Sequence, residues 1–304
     1  MTDRFFIFGA GYSGKAFARA NRGDAAIAGT TRSAEKFDQL RQIGIEPLLF
    51  DETGLPRETA DVLRETTHLI VSVAPSDAGD PVLALARGVI TKQTPRLRWI
   101  GYLSTVGVYG DHQGAWVDEE GECRPVSKRS IQRLAAENEW LALGQESGMP
   151  VAILRLSGIY GPGRNAFVNL ANGTAKRLIK PDQVFNRIHC DDIAGALWHL
   201  AGRNLGGVFN VTDNEPAPPQ DVVTYAAKLM GVEPPPEIPF ASAQLSPMAR
   251  SFYGENKRVS NAAIKAAGYD FQFPDYRSAF DRMWATGTWR GAGDADARSA
   301  IRAD

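Results

Sequence analysis

Apolar residues fall into short, nearly unbroken runs along the first half of the chain: FFIFG (5–9), AAIAGT (25–30), EPLLF (46–50), HLIVSV (68–73) and LRWIGYLS (97–104). Runs of that length, apolar at successive rather than alternate positions, suit strands covered on both faces, as in a parallel sheet. Between them the pattern changes to a helical period, at 12–21, 33–42, 57–65, 81–91 and 127–147. Strands alternating with helices predict right-handed βαβ crossovers and an α/β fold with a doubly wound sheet. VAILRLS (151–157) and GGVFNV (206–211) read as further strands.

The alternation loosens after residue 158. Gly161-Pro162-Gly163 is a turn, 183–190 holds a short strand, and Asp191 or Asp192 caps the helix IAGALWHLA. Prolines 216, 218, 219 and 234–236 punctuate a region with its own helix, VVTYAAKLMG (222–231). The expected division is therefore a Rossmann-type unit over 1–160, rejoined by 183–213, and a smaller unit from 161–182 and 214–285. The Gly- and Ala-rich segment 286–304 is expected to fray as a tail.

Composition changes this picture little. The 304 residues are 43% hydrophobic and 23% charged with a net charge of -1, which gives no global pull toward nucleic acid or anionic lipid. Two cysteines, Cys123 and Cys190, indicate no disulfide framework, so a cytoplasmic protein is expected. No membrane span is read from the pattern, and His68, His112, His189 and His199 show no metal-ligand spacing, so no metal is expected.

The first candidate chemistry is the loop GAGYSG. Gly9 allows a tight turn, Gly11 a close approach of backbone to a pyrophosphate, and Gly14 close packing of helix on strand. Tyr12 and Ser13 lie between them at the helix start, where free N–H groups and the helix dipole face an anion. The position between a first strand and a first helix predicts dinucleotide binding. The second strand ends in Gly29-Thr30-Thr31-Arg32-Ser33 with no carboxylate for a ribose 2′-hydroxyl. Thr31, Arg32 and Ser33 predict a 2′-phosphate site and hence NADP(H) over NAD(H), unless Arg32 is merely solvated at a helix start. Asp51 stands where it would bond the adenine amino group or cap its own loop.

The segments LSTVGVYGD (103–111), LRLSGIYGPGR (154–164), RIHCDDIAGAL (187–197), FNVTDNEP (209–216) and KRVSNAAIKAAGYDFQFPDYRSAF (257–280) follow in order. With the glycine loop, over about residues 4–280, the chain resembles the extended short-chain dehydrogenase/reductases, the nucleotide-sugar epimerases and dehydratases. The resemblance implies a Rossmann sheet of about seven strands with a small C-terminal substrate unit, and an oxidoreductase acting on a small polar or nucleotide-sugar-like molecule. It places Thr105, with Ser104 as stand-in, at the substrate's reacting oxygen. Ala74 and Pro75 fall against the cofactor ribose, and Gly158, Ile159 and Tyr160 over the nicotinamide. Arg164 and Arg187 face the substrate pocket unless they are surface residues; Tyr109 is either packing or a site residue. A homodimer through the fourth and fifth helices is the assembly it implies.

One helix departs. The family's acid/base unit is Tyr-x-x-x-Lys followed four residues later by an acid; aligning on Glu137 places Arg133 at the lysine and Arg129 at the tyrosine. Arginine stays protonated, so it cannot be the base, although it can hold ribose hydroxyls or an anion and stabilise an oxyanion. Arg129, Arg133 and Glu137 also form one i, i+4, i+8 stripe that would suit a solvated helix face. Tyr253 and Lys257 spell Tyr-x-x-x-Lys but lie far beyond the sheet, which favours a structural or substrate-contact role. Two readings remain: an NADP(H)-dependent enzyme with non-standard acid/base residues, or a catalytically silent NADP(H)-binding sensor or scaffold.

Overall fold

The computed structural model describes residues 2–51 and 53–291, the side chains of 247–249 excepted. The first half runs β1 (Arg4–Phe8), α1 (Tyr12–Ala20), β2 (Ala26–Thr31), α2 (Phe37–Gln42), β3 (Ile45–Leu49), α3 (Arg57–Arg64), β4 (His68–Val71), α4 (Pro81–Lys92) and β5 (Trp99–Thr105). It continues through β6 (Trp116–Val117), α5 (Lys128–Ser147), β7 (Val151–Leu156), β8 (Gly158–Tyr160), α6 (Ala166–Ala171), β9 (Arg177–Ile179), β10 (Arg187–His189), α7 (Cys190–Gly202) and β11 (Gly207–Val211). The last part holds α8 (Pro219–Met230), β12 (Glu237–Pro239), α9 (Pro247–Phe252), β13 (Arg258–Val259), α10 (Ala262–Ala266) and α11 (Tyr276–Thr286).

Seven strands pair in the order β3-β2-β1-β4-β5-β7-β11, all parallel, as the unbroken apolar runs predict. The order reverses between β1 and β4, so the crevice for a ligand opens at the carboxyl ends of those two strands. Helices cover both faces. Phe17, Ile193 and Leu197 seal one; Leu63, Val82, Ala86 and Trp140 seal the other. A third apolar cluster, with Phe167, Tyr276, Phe280 and Trp289, gives the smaller unit its own centre.

Two expectations need correcting. The tail from 286 is not free as far as 290: Trp289 is 2% exposed, and its carbonyl accepts from Gly163 N at 2.8 Å and Asn165 Nδ2 at 2.7 Å. The rest of the expected tail, 292–304, lies outside the described residues. Asp192 does not cap α7; His189 is the N-cap, and Asp192 instead accepts from Gln272 N, Phe273 N and the Tyr269 hydroxyl. A carboxylate this buried is tolerable only because three donors satisfy it.

A ladder of interior polar bonds ties the sheet to α5 and the smaller unit. Ser104 donates to Glu137, which is 1% exposed. Glu137 accepts Arg155 of β7 through Nη2 at 2.8 Å and Nε at 3.1 Å. Arg155 donates onward to the Tyr109 hydroxyl at 3.0 Å, which donates to Asn210 Oδ1 at 2.8 Å. Asn210 then reaches the Ser260 carbonyl at 3.0 Å. An arginine inside an otherwise apolar strand demands such a partner, because an unpaired charge there costs several kcal/mol. Arg155→Ala is expected to lower the unfolding free energy by about 3–5 kcal/mol in urea titrations; a loss under about 1 kcal/mol would mean the pair is solvated.

Candidate functional site

The glycine loop leaves β1 and enters α1 at the mouth of the crevice. Gly9 has φ +83°, a left-handed conformation, and a Cβ there would meet Val73 at 3.1 Å. A Cβ on Gly14 would press on Ile7 at 3.1 Å, whereas one on Gly11 would meet nothing nearer than 3.9 Å, so the surface over Gly11 is open. Gly11 is the N-cap of α1, no side chain caps the helix, and its first turn holds no acid. The N–H groups at Tyr12, Ser13 and Gly14 are thus set up for an anion, and the loop fits a dinucleotide pyrophosphate. Thr30, which the sequence reading missed, accepts the Gly9 N–H at 2.9 Å and fixes the turn.

Past the end of β2, Thr31 Oγ1 accepts from Ser33 N at 3.4 Å, and Arg32 is exposed. Lys15 and Lys36 add charge to this corner. Burial, then the neighbouring Arg19 and Lys36 charges, push the Lys15 ammonium below its ordinary value. Like charges brought together favour an anion beside them. Asp51 behaves as a loop cap: its Oδ1 accepts both the backbone N–H of Thr53, at 2.9 Å, and its hydroxyl, which holds the carboxyl below its usual range.

The stripe on α5 turns inward along its length, from exposed Arg129 through half-buried Arg133 to buried Glu137. Ser127 caps the helix on Ser130 N at 3.2 Å, and left-handed Gly148 ends it. Arg133 Nη1 donates to the Leu103 carbonyl at 2.7 Å, the Tyr102 hydroxyl at 3.1 Å and the Val73 carbonyl at 3.4 Å. Its guanidinium therefore spans the carboxyl ends of β4 and β5, next to Ala74 and half-buried Pro75. Arg129 is exposed one turn earlier, its guanidinium 5.5 Å from the Phe252 ring of α9. Thr105 Oγ1 accepts the Gly107 N–H at 3.0 Å, which leaves its own proton to donate. Ser104 is different: it is 6% exposed and its proton is committed to Glu137, so the expected stand-in for Thr105 belongs to the interior ladder.

A family model, the NAD dependent epimerase/dehydratase family, matches residues 89–212. A solved structure from Methylobacillus flagellatus, a proposed NAD-dependent epimerase/dehydratase, is 26% identical with a TM-score of 0.71 over 94% of this chain and 99% of that one. Over residues 89–212 the chain is therefore similar to the NAD-dependent epimerase/dehydratase family. A functionally unknown conserved protein from Silicibacter pomeroyi is 43% identical, with a TM-score of 0.84 over 94% of this chain and 99% of its own. Protein YeeZ of Escherichia coli K12 is 28% identical over 267 residues, 82% of this chain and 88% of that protein.

Tyr109, Arg187 and Arg164 have different surroundings in this fold. Tyr109 is fully buried and serves the Arg155–Asn210 ladder, which makes it packing. Arg187 spends Nη1 on the Phe185 and Ala217 carbonyls, at 2.8 and 3.0 Å, and stiffens the smaller unit. Arg164 is exposed and lies 5.9 Å from the Tyr12 ring, so it borders the glycine loop. Tyr12 in turn donates to the Pro162 carbonyl at 3.0 Å, which pins the Gly161-Pro162-Gly163 turn over the loop. Gly158 and Ile159 open β8, which pairs with β10, while the Tyr160 side chain is buried. Tyr253 and Lys257 are structural: the first is buried against Phe185 and Phe240, and the second donates to the Gly110 carbonyl at 2.6 Å.

A tyrosine does meet an arginine here, but from the wrong side. Tyr102 lies under Arg133, and burial pushes its hydroxyl well above the ordinary value, so it cannot serve as a base near neutral pH. His112 bonds the Tyr109 and Glu122 carbonyls at 3.1 and 3.2 Å and is a loop tie. Ligand atoms of His189, Cys190 and Asp191 lie within 4.8 Å of one another, a grouping that sequence spacing did not disclose. His189 Nδ1 is taken by the Asp191 N–H at 3.2 Å, and burial pushes the Cys190 thiol up to about 12, so it stays protonated.

Asp213, beside Arg187, is raised by burial from 3.8 to about 8. The fold then keeps a proton that the unfolded chain releases near pH 4, so this group's contribution is full below that pH and is lost as pH climbs toward 8. Asp192, raised to about 6, acts the same way at lower pH, while His189, lowered from 6.5 to about 4, acts oppositely and only below 6.5. Between pH 6.5 and 8 the fall in stability is therefore expected to come from Asp213, at up to about 1.4 kcal/mol per pH unit. Denaturation of Asp213→Asn across that window is expected to lose this slope; an unchanged slope would contradict the assignment.

Proposed function

We propose that the chain is an NADP(H)-dependent oxidoreductase of the epimerase/dehydratase kind, acting on a small polar or nucleotide-sugar-like substrate. The observation that carries it is the pairing of the open, acid-free start of α1 with the cations Arg32, Lys36 and Lys15 past β2. Backbone N–H groups of Tyr12, Ser13 and Gly14 would hold the pyrophosphate, with Arg164 at its edge. Thr31, Arg32 and Ser33 would hold the 2′-phosphate. Ala74, Pro75 and Arg133 would line the nicotinamide ribose, with Gly158 and Ile159 closing over the ring.

Bound there, NADP(H) supplies the hydride-transfer chemistry. The chain's own part is orientation and charge. Thr105, whose oxygen already accepts from Gly107, would donate its proton to a substrate oxygen. Arg133 would set a fixed positive charge beside it, favouring an oxyanion as it develops. Because arginine cannot exchange its proton in the working range, the proton would come from solvent or substrate.

The second reading, a silent NADP(H)-binding sensor or scaffold, draws on one observation. Around Thr105, among the described residues, the hydroxyls of Ser104 and Tyr102 are committed to Glu137 and Arg133. Turnover of NADPH with a panel of ketones, aldehydes and sugar nucleotides separates the two readings. For the cofactor itself, Arg32→Ala is expected to weaken NADPH binding by on the order of tenfold or more and leave NADH nearly unchanged. Fluorescence titration with both nucleotides checks this, and equal losses would refute the 2′-phosphate assignment.

A further inference from the structure

Arg129 is the cation of the cleft with the least to do. Its neighbour Lys128 is paired with Asp77 at 2.6 Å, and Arg133 is anchored to two strand-end carbonyls. Among the described residues Arg129 has one interaction, the face of Phe252, a ring 54% exposed on α9. The two side chains thus join α5 of the Rossmann unit to α9 of the smaller unit. One turn along the same face of α5, Arg133 touches the ends of β4 and β5, so Arg129 stands one turn out from them on that face. Ser130, next in sequence, lies against Gly107, whose notional Cβ would come within 2.7 Å of its hydroxyl.

Magnitudes indicate what this arrangement favours. An exposed cation–π contact contributes about 0.5–1 kcal/mol, less than a forked, charge-assisted pair between guanidinium and an oxyanion contributes when partly shielded from water. An incoming carboxylate or phosphate would therefore draw the guanidinium off the ring, and a neutral substrate would not. No acid stands in the first turn of α5 to compete for it. We propose that Arg129 is a specificity-determining residue that selects substrates carrying an oxyanion, a carboxylate or a phosphate ester, at the cleft mouth, with Phe252 as the resting place of its guanidinium. This inference rests on the substrate cleft of the proposed function and adds the charge class of the substrate.

The test uses isothermal titration of the full chain with glucose 6-phosphate, glucuronate and glucose, each with and without saturating NADPH. Wild type is expected to bind at least one of the two anions more tightly than glucose, and the stronger of the two identifies phosphate or carboxylate. Arg129→Gln is expected to lose that preference by on the order of tenfold, and Arg129→Lys to recover part of it; circular dichroism checks that both variants fold. An Arg129→Gln protein that binds the anions as wild type does, or a wild type that prefers neither anion to glucose, would overturn the inference. Anion binding through Arg129 in a protein that takes no NADPH would overturn the proposed cofactor instead and leave the charge selection standing. NADPH binding without anion preference does the reverse.

Discussion

A carboxylate that is 1% exposed must find a cation, and Glu137 of α5 finds Arg155 of β7. That pair clamps the longest helix of the chain to the middle of the sheet. Its register decides which side chains of α5 meet the crevice: Arg133, one turn before Glu137, reaches the ends of β4 and β5, and Arg129, two turns before, reaches the smaller unit. The same ladder passes through Tyr109 and Asn210 to Ser260, so the geometry around Thr105 and the seating of the smaller unit share one set of bonds. Replacing one member would leave a buried charge without its partner, which is far costlier than losing a surface pair.

The clamp also explains why the cleft is cationic yet poor in exchangeable protons. The interior consumes Glu137, Ser104 and Tyr109, and Tyr102 is held beneath Arg133. Among the described residues around it, Thr105 keeps a hydroxyl free to donate, and Arg133 stands beside the strand ends. In the proposed function such a surface would orient oxygen atoms and balance negative charge, and would leave proton traffic to solvent or substrate. The proposed chemistry accordingly rests on binding and electrostatics more than on a general base.

Much of the fold was legible because burial on both faces of a parallel strand leaves an unbroken apolar run, and seven such runs became the seven strands. The glycine loop was legible for a similar reason, since each glycine answers a local steric need. Side chains whose partners are distant in sequence were not. Ser104 looked like a site residue because its neighbours match the family, and Tyr109 was open between packing and the site, but their bonds go to Asn210, Arg155 and Glu137, across three different elements. One signal was present and unused. Arg155 stands alone in VAILRLS, and a lone arginine in a buried strand calls for an acid such as Glu137, which ends the stripe on α5. Trp289 and its carbonyl contacts were hidden by a Gly-rich surrounding that resembles a tail.

The account stands on the crevice between β1 and β4 being an NADP(H) site shaped by α5. A crystal structure of the NADPH complex tests it most directly. The account predicts the pyrophosphate on the Tyr12–Gly14 backbone, the 2′-phosphate within hydrogen-bond reach of Arg32, and the nicotinamide ribose beside Arg133 with the ring near Thr105. Cofactor bound away from the glycine loop, or a 2′-phosphate in solvent with Arg32 turned aside, would contradict it.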